Sequence, residues 1–177
     1  MFGSVQASTD DVRRGLPGDE LVPDADVVMD RAFDLPADPE TVWPWFLQLG
    51  KRRAGWYLPR SVERFVPASR RGLRHLDPAL VAEAVVGHVI PDWGGRDATF
   101  EIAVIDPPHA LVHTTRRGRT DGSWAIVLTA YDGRPGTHVQ LRLRLSPVKR
   151  RWLANSVGEA FDAATVAGLA AGLRERV

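Results

Sequence analysis

The 177-residue chain contains no cysteine, which excludes disulfide bonds, thiolate metal sites and a cysteine nucleophile. The chain also has no marked excess of positive or negative charge, because its 23 basic and 22 acidic residues give a net charge of +1. This balance argues against a dominant electrostatic surface for nucleic acid. No stretch approaches the run of about 18 apolar residues that spans a membrane. We therefore expect no membrane span, no nucleic-acid partner and a cytoplasmic location.

What is present has the composition of a globular protein. Hydrophobic residues make up 44% and charged residues 25% of the chain, and the length suits one domain. The first residues mix Gly, Ser, Asp and Pro without periodicity. We predict a flexible N-terminal arm over residues 1–18 and a single domain over residues 19–177.

Alternation of apolar and polar residues predicts a first strand at 26–35 and five later strands. The later strands are expected at about 86–91, 99–105, 110–116, 123–131 and 137–146. Their connections are too short for crossover helices, so the sheet is predicted to be antiparallel. In the last strand, Gln140, Arg142 and Arg144 alternate with leucines and are expected to face water.

Helical patterns flank this run of strands. Asp38 and Pro39 suit the start of a short helix that continues to about residue 49, and a second short helix is predicted around residues 60–65. The strongest helical periodicity lies in the last segment, residues 149–177. Gly168 and Gly172 weaken an isolated helix but suit a place where a strand or ligand approaches closely. We therefore expect the sheet to pack around this helix.

Two segments resemble a known superfamily. One is Arg31-Ala32-Phe33 followed by Ala37-Asp38-Pro39-Glu40-Thr41-Val42-Trp43-Pro44-Trp45 and Gln48-Leu49-Gly50, and the other is Arg53-Ala54-Gly55-Trp56-Tyr57. They are similar to an uncharacterised bacterial subgroup of the SRPBCC superfamily, which includes START-like, Bet v 1-like and polyketide cyclase/dehydrase-type domains. Residues 86–91 resemble a strand of the same subgroup, although His88 stands where aspartate is usual.

The resemblance implies an α+β helix-grip fold, in which a curved antiparallel sheet of about six to seven strands wraps around a long C-terminal helix, with two short helices after the first strand. It also implies an internal cavity for a small, largely hydrophobic molecule, lipid-like or polyketide-like. Two alternatives stay open: a cyclase/dehydratase-type enzyme for a polyketide-like or aromatic substrate, and an interaction or stress-response module with a filled cavity.

Arg31 is the most informative polar residue, because alternation places its charge on the buried face of the first strand. A buried guanidinium requires an acidic or carbonyl partner. Glu63 is the first candidate partner, and Arg31 acts either as a structural ion pair or as an anchor for a polar group of the ligand. If the protein is an enzyme, Arg31, Tyr57, Glu63 and His113 are the candidate proton-transfer residues.

Aromatic residues with a polar edge suit the mouth of a pocket, and Trp56, Tyr57 and Trp93 lie in predicted loops. The histidines form no convincing metal-binding triad, so no metal and no cofactor are predicted. The complete predicted lining of the cavity is Arg31, Phe33, Trp56, Tyr57, Glu63, Trp93, Phe100, Ile102, His113, Trp124, Ile126, Leu141, Leu143, Phe161, Thr165 and Gly168.

Overall fold

The computed structural model describes residues 4–95, 97–149, 152 and 154–177, and its centre is a six-stranded antiparallel sheet in the order β1-β6-β5-β4-β3-β2. The strands are β1 (Val27–Leu35), β2 (Val89–Pro91), β3 (Thr99–Asp106), β4 (Ala110–Arg117), β5 (Thr120–Ala130) and β6 (Thr137–Ser146). The first strand pairs with the last, so that Arg31 lies opposite Leu141. The predicted antiparallel sheet is confirmed.

Five α-helices accompany the sheet within the described residues: α1 (Thr9–Arg13), α2 (Pro39–Gln48), α3 (Arg60–Glu63), α4 (Pro78–Ala82) and α5 (Glu159–Arg174). The two short helices predicted after the first strand correspond to α2 and α3. Shorter helical turns occur at Asp19–Leu21 and Ala68–Arg70, and a turn of π-helix, Ala154–Gly158, leads into α5. The terminal helix was predicted from residue 149, and residues 150, 151 and 153 of that range lie outside the described residues. No helix of the described ranges is long and apolar enough to cross a bilayer.

The terminal segment behaves differently along its length. In the second half of α5, Leu169 and Leu173 are fully buried, and the Cα of Gly172 lies so close to the Tyr57 backbone that an added Cβ would meet its carbonyl carbon at 2.5 Å. Before and within the first turn of α5, Val157 is 62% and Phe161 73% exposed. The sheet therefore grips the second half of the helix and leaves a gap beneath the first half.

The N-terminal segment differs from the prediction of a flexible arm. Val5 and Leu16 are buried, Gln6 forms a β-bridge with Arg31, and Ser8 caps α1 together with Asp11. Residues 5 and 6 thus pair with the edge of β1, and α1 and the residues that follow it pack against the outer face of the sheet. Apolar burial and capping stabilise the segment there, although its composition carries no periodic pattern.

This covering also overturns the prediction that the polar face of β6 meets water, because Gln140 and Arg142 are buried. Arg142 donates to the backbone carbonyls of Asp11, Val12 and Arg14, and it forms ion pairs with Asp19 and Asp30. A guanidinium carries five N–H donors, so one side chain can bind this many acceptors. Arg142 thus holds the N-terminal segment on the sheet.

Candidate functional site

A cleft of about 450 Å³ lies under the first half of α5, between that helix and the inner face of the sheet. Its wall carries five aromatic side chains. They are Trp56, Trp93, Phe100, Trp124 and Phe161. Leu143, Val166 and Thr165 complete the apolar part of the wall, so that the cleft offers mainly carbon surface to a bound molecule.

Trp56 stands at the centre of the aromatic group. Its ring stacks on that of Trp124 at a centroid distance of 6.3 Å and meets the Trp93 ring edge-on at 6.1 Å. The indole Nε1 of Trp56 donates a 3.2 Å hydrogen bond to the carbonyl of Thr165 on α5. This bond satisfies the one polar atom of the ring and fixes the ring across the cleft.

A smaller chamber of about 50 Å³ adjoins the cleft between the end of α2 and the strands, and Phe46, Leu49 and Gly50 line it on the helix side. It shares Trp56, Asp92, Trp93, Phe100 and Trp124 with the cleft. His113 of β4 lines this chamber. Its ring stacks on Trp124 at 5.4 Å and meets Phe100 edge-on at 6.0 Å. Burial lowers the pKa of His113 to about 4, although a backbone contact with Trp124 opposes the shift, so the ring is neutral near pH 7. Nδ1 of His113 has no hydrogen-bond partner among the described residues.

Charged groups lie at the open side of the cleft, where the β2–β3 loop meets the end of β4. Arg117 forms an ion pair with Asp92, and its guanidinium lies 5.5 Å from the centre of the Phe100 ring. The backbone amides of Trp93 and Gly94 also donate to the Asp92 carboxylate. A side chain at Gly94 would meet the end of the Arg117 side chain and the Asp92 carboxylate, so a larger residue there would displace this ion pair.

Arg31 corrects the first site prediction, because it neither pairs with Glu63 nor lines the cleft. Its guanidinium donates a 2.7 Å hydrogen bond to Glu159 and lies 2.9 Å from the carboxylate of Asp162, both on α5. Asp162 does line the cleft, and burial raises its pKa while the Arg31 charge opposes the rise. Arg31 is thus a structural tie between β1 and the first turn of α5.

Tyr57 and Glu63 also lie outside the cleft. The Tyr57 hydroxyl donates to the carbonyl of Trp45 and accepts from Gln48, and burial raises its pKa. Glu63 binds Arg74 and Arg176 at 3.0 and 2.7 Å. Both side chains are engaged in contacts that hold the helical segments together. Of the four candidate proton-transfer residues, only His113 lines the candidate site.

The remaining predicted lining residues divide in two groups. Those on the wall of the cleft or its chamber are Trp56, Trp93, Phe100, His113, Trp124, Leu143, Phe161 and Thr165. Those buried in the core or packed elsewhere are Phe33, Ile102, Ile126, Leu141 and Gly168. Alternation identifies the inner face of a strand, but it does not tell where along the strand the cleft ends and the packed core begins.

Ten lining residues were not predicted from the sequence. Five line the cleft, namely Asp92, Gly94, Arg117, Asp162 and Val166, and five line the chamber alone, namely Phe46, Leu49, Gly50, Ile90 and Pro91. Asp92 and Gly94 flank Trp93 in a turn motif, and their position beside a predicted mouth residue was the available signal. Arg117 belongs to a basic cluster whose pattern is typical of a solvated hairpin tip. Within the described residues, no three His, Asp or Glu side chains are grouped so as to hold a metal ion.

Comparison with known proteins gives matches among solved structures only, since no family model and no curated protein matches the chain. CalU16 from Micromonospora echinospora is 14% identical, covers 85% of this chain and 76% of its own, and has a TM-score of 0.51. Norcoclaurine synthase from Thalictrum flavum is 11% identical, covers 84% of this chain and 92% of its own, and also has a TM-score of 0.51. A protein from Arthrobacter aurescens is 13% identical, covers 99% of this chain and 93% of its own, and has a TM-score of 0.52.

The chain has the helix-grip fold that these solved structures share. The resemblance found in the sequence is thereby confirmed at the level of the fold. At the position where the sequence resemblance is incomplete, Nε2 of His88 lies 3.0 Å from a guanidinium nitrogen of Arg53. Because arginine can only donate, the histidine nitrogen accepts, as an aspartate oxygen would. In this helix-grip domain the gap under the first half of α5 is the candidate functional site.

Proposed function

We propose that this domain binds a small, largely apolar molecule in the cleft beneath the first half of α5. The observation that carries the proposal is an open, aromatic-walled space of about 450 Å³ where the fold would otherwise have packed core. Protein interiors are close-packed, so an apolar cleft of this size loses the contacts that a bound molecule restores.

The mouth of the cleft supports the same function. Phe161 is 73% and Trp93 52% exposed, and both line the cleft. Large apolar side chains exposed together at a concave site are typical of ligand or protein contacts, because exposure of such surface to water is unfavourable. A bound apolar molecule would cover the inner sides of both rings.

The fold is compatible with this role. The similar structure of norcoclaurine synthase is a complex with a transition-state analogue, so a domain of this fold can hold a small molecule. The alternative of a cyclase/dehydratase-type enzyme has less support here, because Arg31, Tyr57 and Glu63 are engaged in contacts outside the cleft. The alternative of a filled cavity is disfavoured by the volume of the cleft.

Titration with N-phenyl-1-naphthylamine, a neutral apolar dye, tests the proposal. We expect saturable fluorescence enhancement at one site per chain. The variant Thr165→Phe places a ring inside the cleft and should weaken binding at least about tenfold. Ala164→Phe adds the same ring at the neighbouring, solvent-exposed position of α5 and should bind as the wild type does.

Thermal melting of both variants shows whether each is folded at the temperature of the titration. Absence of saturable binding to the wild-type protein would contradict the proposal. Equal affinity of Thr165→Phe and Ala164→Phe would contradict the location of the site. Co-purification of an apolar compound, released by organic extraction and detected by mass spectrometry, would support it independently.

A further inference from the structure

His113 is a buried polar residue in an aromatic environment. It is 5% exposed, it lines the inner chamber, and Nδ1 lacks a hydrogen-bond partner among the described residues. Leaving a buried polar atom unpaired costs about 1–3 kcal/mol. Nδ1 itself has almost no accessible surface, so a partner in the chamber would reach it after a small rotation of the ring, and the new hydrogen bond would favour that rotation.

The chamber is large enough for that partner. A volume of about 50 Å³ exceeds the roughly 10–15 Å³ that one water molecule requires on the same measure. The rings of Trp56, Phe100 and Trp124 line both the chamber and the cleft. Because these rings line both spaces, a molecule whose polar group enters the chamber keeps the rest of its surface against the aromatic walls.

The charges around the chamber favour an uncharged group. Of the described residues, Asp92 alone brings a formal charge to the chamber wall, and its carboxylate binds Arg117 and two backbone amides. Among the residues that the structure describes, no basic side chain lines the chamber to receive an anion, and the imidazole of His113 is neutral near pH 7. An ammonium or carboxylate group would thus lose its hydration without a free counter-charge.

A hydroxyl group meets these conditions. A neutral imidazole presents either N–H or a lone pair at Nδ1, depending on its tautomer, and a hydroxyl can accept from the first or donate to the second. We propose that the inner chamber is a hydroxyl-recognition subsite, in which His113 binds the hydroxyl of a phenol or similar hydroxylated aromatic molecule. This inference rests on the proposed function and adds the chemical class of the ligand.

The test compares 2-naphthol with 2-methylnaphthalene, two probes of similar shape that differ in the hydroxyl. Displacement of N-phenyl-1-naphthylamine measures both affinities. We expect the wild-type protein to bind 2-naphthol about tenfold more tightly, the value of one net hydrogen bond. His113→Phe should lose this preference and retain affinity for 2-methylnaphthalene. His109→Phe changes an exposed histidine at the start of the same hairpin strand and should keep the wild-type preference.

The outcomes separate the two proposals. If neither probe nor dye binds the wild-type protein, the proposed function fails. If 2-methylnaphthalene binds as tightly as 2-naphthol, or if His113→Phe keeps the preference for 2-naphthol, the hydroxyl subsite is overturned while the binding cleft stands.

A second measurement avoids dependence on a folded His113→Phe variant. In ¹³C,¹⁵N-labelled wild-type protein, the imidazole resonances of His113 are assigned by through-bond correlation with the backbone of the same residue. We expect 2-naphthol, and not 2-methylnaphthalene, to shift its Nδ1 resonance. An unchanged Nδ1 resonance at a saturating concentration of 2-naphthol would overturn the subsite.

Discussion

Glu159 accepts a 2.7 Å hydrogen bond from Arg31, and this contact joins strand β1 to the first turn of helix α5. The second acidic partner of Arg31, Asp162, lies one turn further along the helix and forms part of the cleft wall. Since little apolar burial holds this half of the helix, the position of the cleft wall depends on the arginine.

Replacement of Arg31 by methionine should therefore destabilise the domain by about 3 kcal/mol, because it leaves Asp162 buried without its counter-charge. Chemical denaturation of the variant and the wild type at pH 7 measures the difference. Arg119→Met, at the exposed tip of the β4–β5 hairpin, should change stability by less than about 0.5 kcal/mol.

The same variant gives a prediction for pH dependence. Burial raises the folded-state pKa of Asp162, and loss of Arg31 raises it further. A carboxyl group whose pKa is higher in the folded than in the unfolded state lowers the free energy of unfolding at high pH, where the unfolded chain carries it charged. This effect disappears at low pH, where the carboxyl is protonated in the folded and the unfolded state alike. The stability deficit of Arg31→Met should therefore shrink as the pH falls from 7 towards the ordinary aspartate range. A deficit that grows on acidification would contradict this assignment.

The N-terminal segment should contribute to stability through Arg142. Arg142→Met removes donors to three backbone carbonyls and leaves Asp30 buried without its partner, so we expect a loss of about 3 kcal/mol. Deletion of residues 1–18 should also lower the denaturation midpoint, because it exposes this face of the sheet. If the deletion leaves the midpoint unchanged, the first 18 residues form a dispensable arm and the domain begins at residue 19.

Two glycines of α5 provide a matched pair. At Gly172 an added Cβ would meet the backbone of Tyr57 and Leu58 at 2.5–2.6 Å, and backbone atoms cannot easily move. At Gly168 it would meet only the end of the Leu58 side chain, at 2.8 Å. We expect Gly172→Ala to lower the melting temperature by several degrees. Gly168→Ala should have a smaller effect, since alanine is favoured by about 1 kcal/mol within a helix.

A substitution at Glu63 tests whether this residue contributes to stability or to ligand binding. Glu63→Gln weakens the ion pairs with Arg74 and Arg176, so it should reduce stability by about 1–3 kcal/mol. The affinity for N-phenyl-1-naphthylamine should not change, because Glu63 lies outside the cleft. A selective loss of dye binding in a variant of normal stability would return Glu63 to the site.

Local patterns were sufficient to predict the sheet and the short helices, because each strand alternates and each turn carries its own glycine, proline or aspartate. The partner of Arg31 could not be predicted in the same way. Glu159 lies 128 residues away along the chain, and its approach depends on how α5 sits on the sheet. Periodicity shows that a helix has a buried side, but not which neighbour meets each residue.

The cleft itself was predicted only in part for a related reason. Trp56 and Trp93 were predicted at its mouth because aromatic residues in loops signal such a place. Phe161 was predicted as lining, yet nothing in the helical pattern indicates that its ring is largely exposed, because the helix has its buried residues in the second half alone. The extent of packing along a helix is a tertiary property.

The unequal packing of α5 assigns fold stability to its second half and ligand contact to its first half, two requirements that often compete for the same residues. Residues after Val166 are committed to the core, whereas Phe161 and Thr165 contact mainly the cleft and solvent. Substitutions at Phe161 and Thr165 can therefore alter selectivity with little loss of stability, whereas Glu159 and Asp162 must be kept because they bind Arg31. For protein engineering, a library can be diversified at Phe161 and Thr165 while the scaffold is kept.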